Sequence, residues 1–412
     1  MRKKRKMKKS IKILGTLLII IVIGSLGLAI KNHQSPKNQT SFAPVPEEQW
    51  PKISKISLVA TGDALLHNGV YVDAYNKNTK TFDFTKQIAL VKEEVKDYDI
   101  AYYNQETLFG GPQPDLFPTN SAYNIRGYSS YPYFNTPSEF GDAMLDAGFN
   151  MVSLATNHSA DCLSKAKECI VNSYNYWQDK NVVFDGFNPT SENTNNYIIQ
   201  EKNGITYTML NYTSTLNGLD SRIKNDKYLV DMYDPEKVKA DIEAVRDKVD
   251  VLIVAMHWHT GSEYTFKPTQ KNIEITNYLS SLGVDIILGT YSHCLQPFDI
   301  VNNTVVFYSL GNLISSQGQL IDTIGYKGIV GVLANMDITK TTNEDGTSKI
   351  VIDNIGADLL YTYHDNKIGY LVVPFSKMEA KYNKNYKSIY KEYSQVLKNF
   401  NDNINIKPLP NN

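Results

Sequence analysis

Residues 56–63 read ISLVATGD, a short apolar run that ends in a carboxylate at Asp63. A run of this length, rich in branched and small residues and closed by a turn signal, predicts a buried β-strand. Five later segments repeat the pattern and end in an amide, a carboxylate or an imidazole. They are DIAYYNQE at 99–106, NMVSLATNH at 150–158, DVLIVAMH at 250–257, VDIILGTYSH at 284–293 and VVFYSLGN at 305–312. Amphipathic stretches of helical period alternate with such runs, so the sequence predicts an α/β layered fold.

The sheets of this fold are expected to be mixed, because two features predict antiparallel pairing. Asn203-Gly204 separates two strand-like runs and is a dipeptide preferred in two-residue hairpin turns. The apolar runs at 327–340 and 349–363 are expected to pair antiparallel with each other at the far side of the sheet.

The N-terminal part of the chain predicts export and anchoring. Seven of the first nine residues are Arg or Lys, and an uninterrupted apolar run occupies 13–30. At about 1.5 Å per residue, this run is close to the ~30 Å thickness of a bilayer core and longer than the core of a cleavable signal peptide. We therefore expect an uncleaved transmembrane anchor, with a signal peptide cut near Ala29 as the alternative. The positive-inside rule then places the rest of the chain outside the cell membrane.

The charge and composition define the expected segments and exclude one class of partner. The segments are a cytoplasmic basic stretch (1–12), a transmembrane anchor (13–30), a flexible proline-containing linker (31–52), one large α/β domain (53–375) and a C-terminal helix and tail (376–412).

The chain carries 42 basic and 43 acidic residues, a net charge of -1. It lacks the basic surplus that would neutralise a phosphate backbone, so nucleic acid is not expected as a partner.

The three cysteines, Cys162, Cys169 and Cys294, are too few for a disulfide framework in an exported chain of this length. On one continuous helix, Cys162 and Cys169 would lie about 10 Å apart, beyond the reach of a disulfide. Cys162 could instead lie in the loop before the helix. We expect no bridge from Cys162 and expect stability to come from the apolar core.

The polar residues at the ends of the predicted strands are expected to form one site, because ligands of α/β sheets bind outside the carboxyl ends of the strands. Five of the seven histidines lie at or just beyond these ends. The candidates are Asp63, His67, Asn104, Glu106, Asn157, His158, His257, His259, His293 and Asn312. Carboxylate oxygens combined with imidazoles suit Mn, Fe or Zn better than Ca or Mg. We therefore expect one or two divalent metals of this type.

Each candidate also has a purely structural interpretation. Asp63 could cap the turn after its strand, and a lone strand-end histidine is more often a packed structural residue. His67 could bind a metal or only line the pocket, and Asn312 could be a simple turn residue. Glu106 is different, because a buried carboxylate without a cation or strong donors is costly to desolvate. A metal is the simplest partner for it.

Six segments also carry a family resemblance. They are ATGDALLH at 60–67, NQETLFGG at 104–111, FNTPSEFGDAMLDAGFNMVSLATNHSAD at 134–161, MHWHTGSEY at 256–264, GVDIILGTYSHCLQP at 283–297 and FYSLGNLISSQ at 307–317. In this order they resemble the successive blocks of the CapA-like family of capsule and poly-gamma-glutamate synthesis proteins. The resemblance implies an αββα sandwich with mixed sheets, similar to that of the calcineurin-type metallophosphatases, with metals held at strand ends.

The resemblance also implies roles for individual residues. The metal ligands would be Asp63, Glu106, Asn157, His257 and His293, and His158 would protonate a leaving oxygen. Tyr291 departs from the family pattern, because it replaces the first imidazole of a histidine-proline-histidine triplet, and Leu163 replaces a glycine. His259 stands where the family has a glycine. If the strand continued past His257, His259 would face the same pocket and could replace the lost ligand; the alternative is a solvated loop histidine.

The resemblance implies a role in cell-envelope polymer biosynthesis, and the N-terminal segments predict that this role is extracellular. We expect the site to use metal-activated water to cleave an ester, anhydride or amide bond. The expected partners are an anionic envelope polymer or a small ester or amide substrate, the membrane, and capsule synthase subunits. The rival interpretation is a non-catalytic envelope protein that kept the fold and binds the polymer or a synthase.

Overall fold

The computed structural model describes residues 49–118, 125–259, 261 and 263–411. The strands in this part of the chain are β1 (Lys52–Ala64), β2 (Tyr75–Asn76), β3 (Thr81–Phe82), β4 (Ile100–Asn104), β5 (Met151–Ser153), β6 (Val183–Asp185), β7 (Gln200–Lys202), β8 (Ile205–Thr213), β9 (Val251–His257), β10 (Ile286–Thr290), β11 (Phe298–Val301), β12 (Thr304–Phe307), β13 (Asn312–Ile314), β14 (Val330–Thr342), β15 (Ser348–Asp365), β16 (Gly369–Pro374) and β17 (Asn405–Ile406).

The α-helices in the same residues are α1 (Asn68–Asp73), α2 (Ala89–Val95), α3 (Glu139–Asp146), α4 (Ala166–Gln178), α5 (Pro235–Val245), α6 (Gln270–Ser281), α7 (Ile321–Ile324) and α8 (Tyr386–Leu397). Among the described residues, none of these helices is long and apolar enough to cross a membrane. The predicted anchor at 13–30 lies outside the described residues.

The first sheet has the strand order β16-β15-β14-β1-β4-β5-β6, with β13 added beside β1 and β17 beside β15. Its strands β1, β4, β5 and β6 run parallel, whereas β14 pairs antiparallel with both β1 and β15. The predicted antiparallel pairing of 327–340 with 349–363 is therefore present as β14 and β15.

The second sheet has the order β11-β12-β10-β9-β8-β7. Its four central strands are parallel, and the outer strands β7 and β11 are antiparallel to their neighbours. The β7–β8 turn is the predicted hairpin at Asn203-Gly204, where both residues have positive φ (52° and 76°), as a tight hairpin turn of this kind requires. Both sheets are mixed, as the sequence predicts.

The two sheets pack face to face, because alternate residues of each strand point to opposite sides. Leu58 of β1 and Ile253 of β9 lie in the core between the sheets. Val59 of β1 packs on the outer side with α1–α4, and Val254 of β9 packs on the other outer side with α5 and α6. The described residues therefore form four layers, helix, sheet, sheet and helix.

The C-terminal residues pack onto this same structure. Ile389, Tyr393 and Leu397 of α8 are buried in the core between the sheets, and β17 pairs with β15. The predicted C-terminal helix is therefore present and contributes to the core of the unit that spans Trp50–Asn412.

The expectation that Cys162 forms no bridge is wrong. A disulfide joins Cys162 to Cys169, with their Cα atoms 6.2 Å apart, and Cys294 is free and buried. The distance of a continuous helix does not apply, because α4 begins only at Ala166. Residues 163–165 form a 3-10 turn in which Leu163 has a φ of 49°. Cys162 thus lies in the loop before the helix, the alternative that the sequence left open.

Candidate metal centre at the sheet edge

Asp63 reaches the edge of the first sheet through an irregularity at the end of β1. The register between β1 and β4 shifts between Ala60 and Asp63. The neighbouring chain comes so close that a Cβ on Gly62 would lie 1.8 Å from the carbonyl oxygen of Gly311. Only glycine at position 62 permits this approach. The Asp63 N–H donates to the same carbonyl at 2.9 Å, which fixes the fully buried carboxylate in place.

The side chains of Asp63, Glu106 and His293 converge at this edge, each with one possible ligand atom within 4.8 Å of the others. His293 Nδ1 lies 3.4 Å from Asp63 Oδ2, and His293 Nε2 lies 3.6 Å from Glu106 Oε1. Glu106 is buried, yet neither of its carboxylate oxygens accepts a hydrogen bond from any described residue. Because a buried carboxylate without donors is costly, these residues fit a divalent cation.

The second pair of predicted ligands, Asn157 and His257, lies beside this group. His257 Nε2 is 2.8 Å from Asn157 Oδ1, and its Nδ1 is 2.9 Å from Thr290 Oγ1. The same ring lies 3.9 Å from Glu106 Oε1 and 3.9 Å from Asp63 Oδ1. The structure thus brings all five predicted ligands into one cluster, although they come from both sheets.

Asn104 and Asn312 hold ligand side chains in position. Asn104 Nδ2 donates to Asp63 Oδ1 at 2.7 Å. Asn312 Oδ1 lies 3.0 Å from His293 Nδ1, and Asn312 Nδ2 donates to Gln317 Oε1 at 2.9 Å. This second bond orients the Asn312 amide with its oxygen towards the imidazole. His293 Nδ1 therefore donates to Asn312, and Nε2, which faces Glu106, becomes a ligand atom on losing its proton.

His158 lies next to the cluster and is paired with Asp161. His158 Nδ1 is 2.6 Å from Asp161 Oδ2, which also accepts a hydrogen bond from the Phe134 N–H at 2.7 Å. His158 Nε2 lies 3.9 Å from Glu106 Oε1. With Nδ1 donating to Asp161, the Nε2 atom is directed at the centre.

The two remaining candidate histidines lie away from the ligand cluster. His67 Nδ1 is 3.1 Å from the Leu65 carbonyl and 3.3 Å from the Ser316 N–H, so its ring is held by backbone groups. Of the two alternatives for His259, the structure shows the loop histidine, because β9 ends at His257. His259 is exposed, and its ring centroid lies 4.6 Å from that of Tyr291. Strand alternation therefore does not bring His259 into the pocket.

Tyr291, which replaces an imidazole of the family pattern, is buried with a φ of 93°. Its hydroxyl donates to Glu263 Oε1 at 3.4 Å, and its ring centroid lies 5.4 Å from that of His257. The phenol thus occupies the space beside His257 and is bonded to a carboxylate at the mouth of the site.

Burial and charge shift the pKa values of the cluster in opposite directions. Burial raises the pKa of Glu106 well above its usual value, and the nearby His293 opposes this only in part. Burial also lowers the pKa of His257 to about 3. For His293, the Glu106 and Asp63 carboxylates outweigh burial and raise the pKa to about 10. Burial tends to raise the pKa of Asp63, but its bonds to His293 and Asn104 and the charges of His257 and His293 hold it below its usual value.

A cavity of about 360 Å³ opens directly onto the cluster. Its walls include His67, Phe134, Asn157, His158, Tyr264 and Gln317. Imidazole, amide and aromatic groups thus surround the space in front of His158, which is large enough for a small ligand or the end of a polymer.

Sequence reasoning did not identify the side chains that orient the ligands. Asp161, Ser153 and Thr290 support His158, Asn104 and His257 respectively, through bonds of 2.6, 2.6 and 2.9 Å. Of these three residues, only Asp161 could have been predicted from the sequence, because it lies three residues after His158 in a turn-like segment. Ser153 and Thr290 lie within predicted strands, where a hydroxyl residue gives no sign of its partner.

The model of the family described as bacterial capsule synthesis protein PGA_cap matches residues 57–317, which is more than half of this chain. The chain therefore belongs to this family. The resemblance drawn from the six sequence segments is therefore confirmed.

Two relatives and one solved structure illustrate the similarity. The chain is 28% identical over 201 residues to the PGA biosynthesis protein CapA of Bacillus subtilis (strain 168), covering 49% of this chain and 52% of that protein. It is 26% identical over 190 residues to the capsule biosynthesis protein CapA of Bacillus anthracis, covering 45% of each chain. The chain therefore spans about half the length of these relatives. A calcineurin-like phosphoesterase from Bacillus subtilis aligns with a TM-score of 0.42 and 13% identity over 84% of this chain and 98% of that one.

Proposed function

We propose that this chain is a metal-dependent hydrolase of cell-envelope polymer synthesis, acting on an ester, anhydride or amide bond of an anionic polymer such as poly-gamma-glutamate or of a small related substrate. One observation carries the proposal. The Glu106 carboxylate is buried with no hydrogen-bond donor among the described residues, and it lies beside Asp63 and His293 at the end of an open cavity. A protein that only needed stability would gain by replacing such a group.

Asp63, Glu106 and His293 would hold a divalent metal of the Mn, Fe or Zn type, with Asn157 and His257 available to a second ion. Such a metal, when bound, supplies a Lewis acid that activates water and stabilises negative charge on the substrate. Asn104 and Asn312 keep the ligand atoms aimed at the centre through their bonds to Asp63 and His293.

His158 supplies the proton in this proposal. Its Nδ1 is held by Asp161, so its Nε2 faces the space where a leaving oxygen or nitrogen would lie. Phe134 packs edge-on against the ring, with centroids 4.6 Å apart, and limits its rotation. A positioned imidazole of this kind contributes about 100-fold or more to the rate of a hydrolysis.

The proposed location is the outer side of the cell membrane, with the N-terminal anchor holding the domain near capsule synthase subunits. The basic and apolar N-terminal segments support this proposal. The disulfide between Cys162 and Cys169 also supports it, because such bonds persist in oxidising compartments and are rare in the cytosol.

A second function, a non-catalytic polymer-binding or synthase-binding protein, is favoured by the state of Tyr291. The residue stands at the position of an expected ligand, and its hydroxyl is bonded to Glu263. A site that lost a ligand here would retain the cavity as a binding pocket.

The test is metal analysis of the full chain, combined with hydrolysis of bis(p-nitrophenyl) phosphate and of a poly-gamma-glutamate oligomer. The hydrolase is supported if tightly bound transition metal accompanies turnover and both are lost in Glu106→Gln. Polymer binding with no bound metal and no turnover after loading with Mn²⁺, Fe²⁺ or Zn²⁺ would support the non-catalytic function instead.

A further inference from the structure

The Cys162–Cys169 disulfide lies immediately beside the proton donor. Cys162 follows Asp161 in the chain, and Cys169 lies one turn into α4. Both cysteines are fully buried. The bridge therefore ties the short segment that carries His158 and Asp161 to the first turns of a helix that packs in the core.

This segment has an unfavourable backbone conformation. Leu163 has a φ of 49°, in the left-handed region, and its N–H donates to the Asp161 carbonyl at 2.7 Å. Side chains with a Cβ rarely adopt this conformation, whereas glycine adopts it freely. This chain therefore forms the tight turn with leucine, a residue that disfavours the conformation.

The turn determines where the Asp161 carboxylate points. Asp161 Oδ2 is 2.6 Å from His158 Nδ1 and accepts the Phe134 N–H at 2.7 Å. Arg222 Nη1 donates to the Asp161 carbonyl at 3.3 Å from the other side. If the turn at Leu163 relaxed to a more favourable φ, this carbonyl and the carboxylate would move, and His158 would lose its partner.

We propose that the Cys162–Cys169 disulfide is a positioning element for His158, which compensates for Leu163 and brings Asp161 into place only after the two thiols are oxidised. The proposal rests on the proposed function, because it assigns His158 as the proton donor. In the maturation step, two thiols lose two protons and two electrons to an external disulfide, such as that of a thiol oxidoreductase or oxidised glutathione. That disulfide is reduced to two thiols as the Cys162–Cys169 bond forms.

The consequence is a site that becomes competent after export. In a reducing cytoplasm the thiols stay apart and the turn at Leu163 relaxes, so His158 is not aligned. In an oxidising compartment the bridge closes and the pair of His158 and Asp161 forms.

The test compares the full-length Cys162→Ala/Cys169→Ala variant with wild type and with two further variants. Adding Leu163→Gly to the cysteine variant removes the backbone penalty without restoring the bridge. Ser173→Ala is the stability control, because Ser173 Oγ accepts the Phe109 N–H at 2.9 Å on the same helix and no hydrogen bond among the described residues joins it to His158 or Asp161.

The first measurement uses metal-free protein with ¹⁵N-labelled histidine and follows the His158 Nδ1–H resonance. We expect a slowly exchanging proton in wild type, its loss in the cysteine variant, and its return when Leu163→Gly is added. Ser173→Ala should keep it. Wild type refolded from the reduced state should regain it only with oxidised glutathione.

The second measurement is turnover of bis(p-nitrophenyl) phosphate by the metal-loaded proteins. The cysteine variant should lose at least about 10-fold in kcat at unchanged KM, a fraction of the loss expected on removing the acid altogether. Leu163→Gly should recover most of it. In an Asp161→Asn background, the cysteine changes should have no additional effect, because they act through Asp161.

Two results would overturn the proposal. One is an unchanged His158 resonance in the cysteine variant, which would make the bridge a stabilising element only. The other is a loss that Leu163→Gly does not recover and that Ser173→Ala reproduces. Because the resonance is measured without metal or substrate, absence of turnover in all proteins would reject the proposed hydrolase while leaving the positioning role to be decided by the resonance alone.

Discussion

The ligand cluster has two ends, the first formed by Asp63, Glu106 and His293 and the second by Asn157 and His257 beside Tyr291. Their polar atoms are satisfied in different ways. At one end, Glu106 accepts no hydrogen bond from any described residue and depends on whatever fills the space between it, Asp63 and His293. At the other end, His257 Nε2 is bonded to Asn157 at 2.8 Å, and the Tyr291 hydroxyl is bonded to a carboxylate. The first end leaves a buried carboxylate without a donor among the described residues, whereas the His257 ring at the second end is paired within the protein.

For the proposed metal-dependent function, this difference favours the Asp63, Glu106 and His293 end as the firmer metal position. A ligand that must first break a hydrogen bond to another ligand binds a metal less tightly, because that bond is lost on binding. The replacement of an imidazole by Tyr291 further weakens the second position. We therefore expect one tightly bound metal per chain.

The largest effect should come from Glu106→Gln. Removing the carboxylate of a proposed ligand should reduce metal affinity by at least about 100-fold, more than loss of a supporting residue does. It should also raise the free energy of unfolding of the metal-free protein by about 1–3 kcal/mol, because a buried carboxylate without donors is replaced by a neutral amide. Metal analysis and urea unfolding measure the two effects.

Asp358→Asn provides the matched control for that experiment. Asp358 is also a buried carboxylate, but it accepts a hydrogen bond from the Ser376 N–H at 3.1 Å and lies far from the cluster in β15. Its substitution should lower stability and leave metal content unchanged. A Glu106→Gln protein that is destabilised and still holds metal would reverse the interpretation of the first end.

Tyr291→His should produce the next largest effect, by supplying the missing imidazole at the second end. Histidine tolerates positive φ better than most residues, so the backbone at 291 should be retained. We expect bound metal to rise from one to two equivalents per chain at saturating Mn²⁺ or Zn²⁺. Tyr291→Phe, which only removes the hydroxyl, should stay at one. Two equivalents in wild type would show that the two ends do not differ as described.

The position of the cluster could be predicted from the strand ends alone, whereas the choice of five of its residues as metal ligands came from the family resemblance. Asp63, Glu106, Asn157, His257 and His293 each end, or closely follow, a buried strand, and parallel strands bring such ends to one edge. The roles of Asn104 and Asn312 could not be predicted, since an amide at a strand end serves equally as a ligand or as a support. Which role it takes depends on contacts made across the sheets.

The disulfide and the position of His259 were not predictable for a different reason. Both depend on the boundary of a regular element rather than on which element is present: α4 begins at Ala166, and β9 ends at His257. Helical periodicity continues through residues 163–165, so the sequence favours a single helix where the chain makes a tight turn. Spacing rules then give a wrong distance between Cys162 and Cys169.

The histidine rings at the site also differ in pKa. A substitution of His67 tests this difference without changing a proposed metal ligand. Burial lowers its pKa to about 4, from an unfolded value of 6.5. Between these values the unfolded chain binds a proton that the folded protein does not, so stability is lost as pH falls from 6.5 towards 4. The loss attributable to His67 is up to about 3 kcal/mol.

We therefore expect His67→Phe to flatten the acid side of the stability curve of the metal-free protein, measured as melting temperature between pH 7 and pH 4.5. His364→Phe is the control, because His364 is exposed and should change nothing. An unchanged acid slope in His67→Phe would mean that His67 can take up a proton in the folded state.

The smallest effect should come from His259→Ala. Its ring is exposed and lies against Tyr291, and its N–H donates to Ser214 Oγ at 2.7 Å, a bond that alanine keeps. Since β9 ends at His257, no strand directs the His259 side chain at the metal. Metal content should stay at one equivalent, and stability should change by no more than about 0.5 kcal/mol. His293→Ala, measured in parallel, removes a proposed ligand of the first end and should lower metal affinity. If His259→Ala instead costs bound metal, His259 replaces the imidazole lost at Tyr291, and the second end binds metal after all.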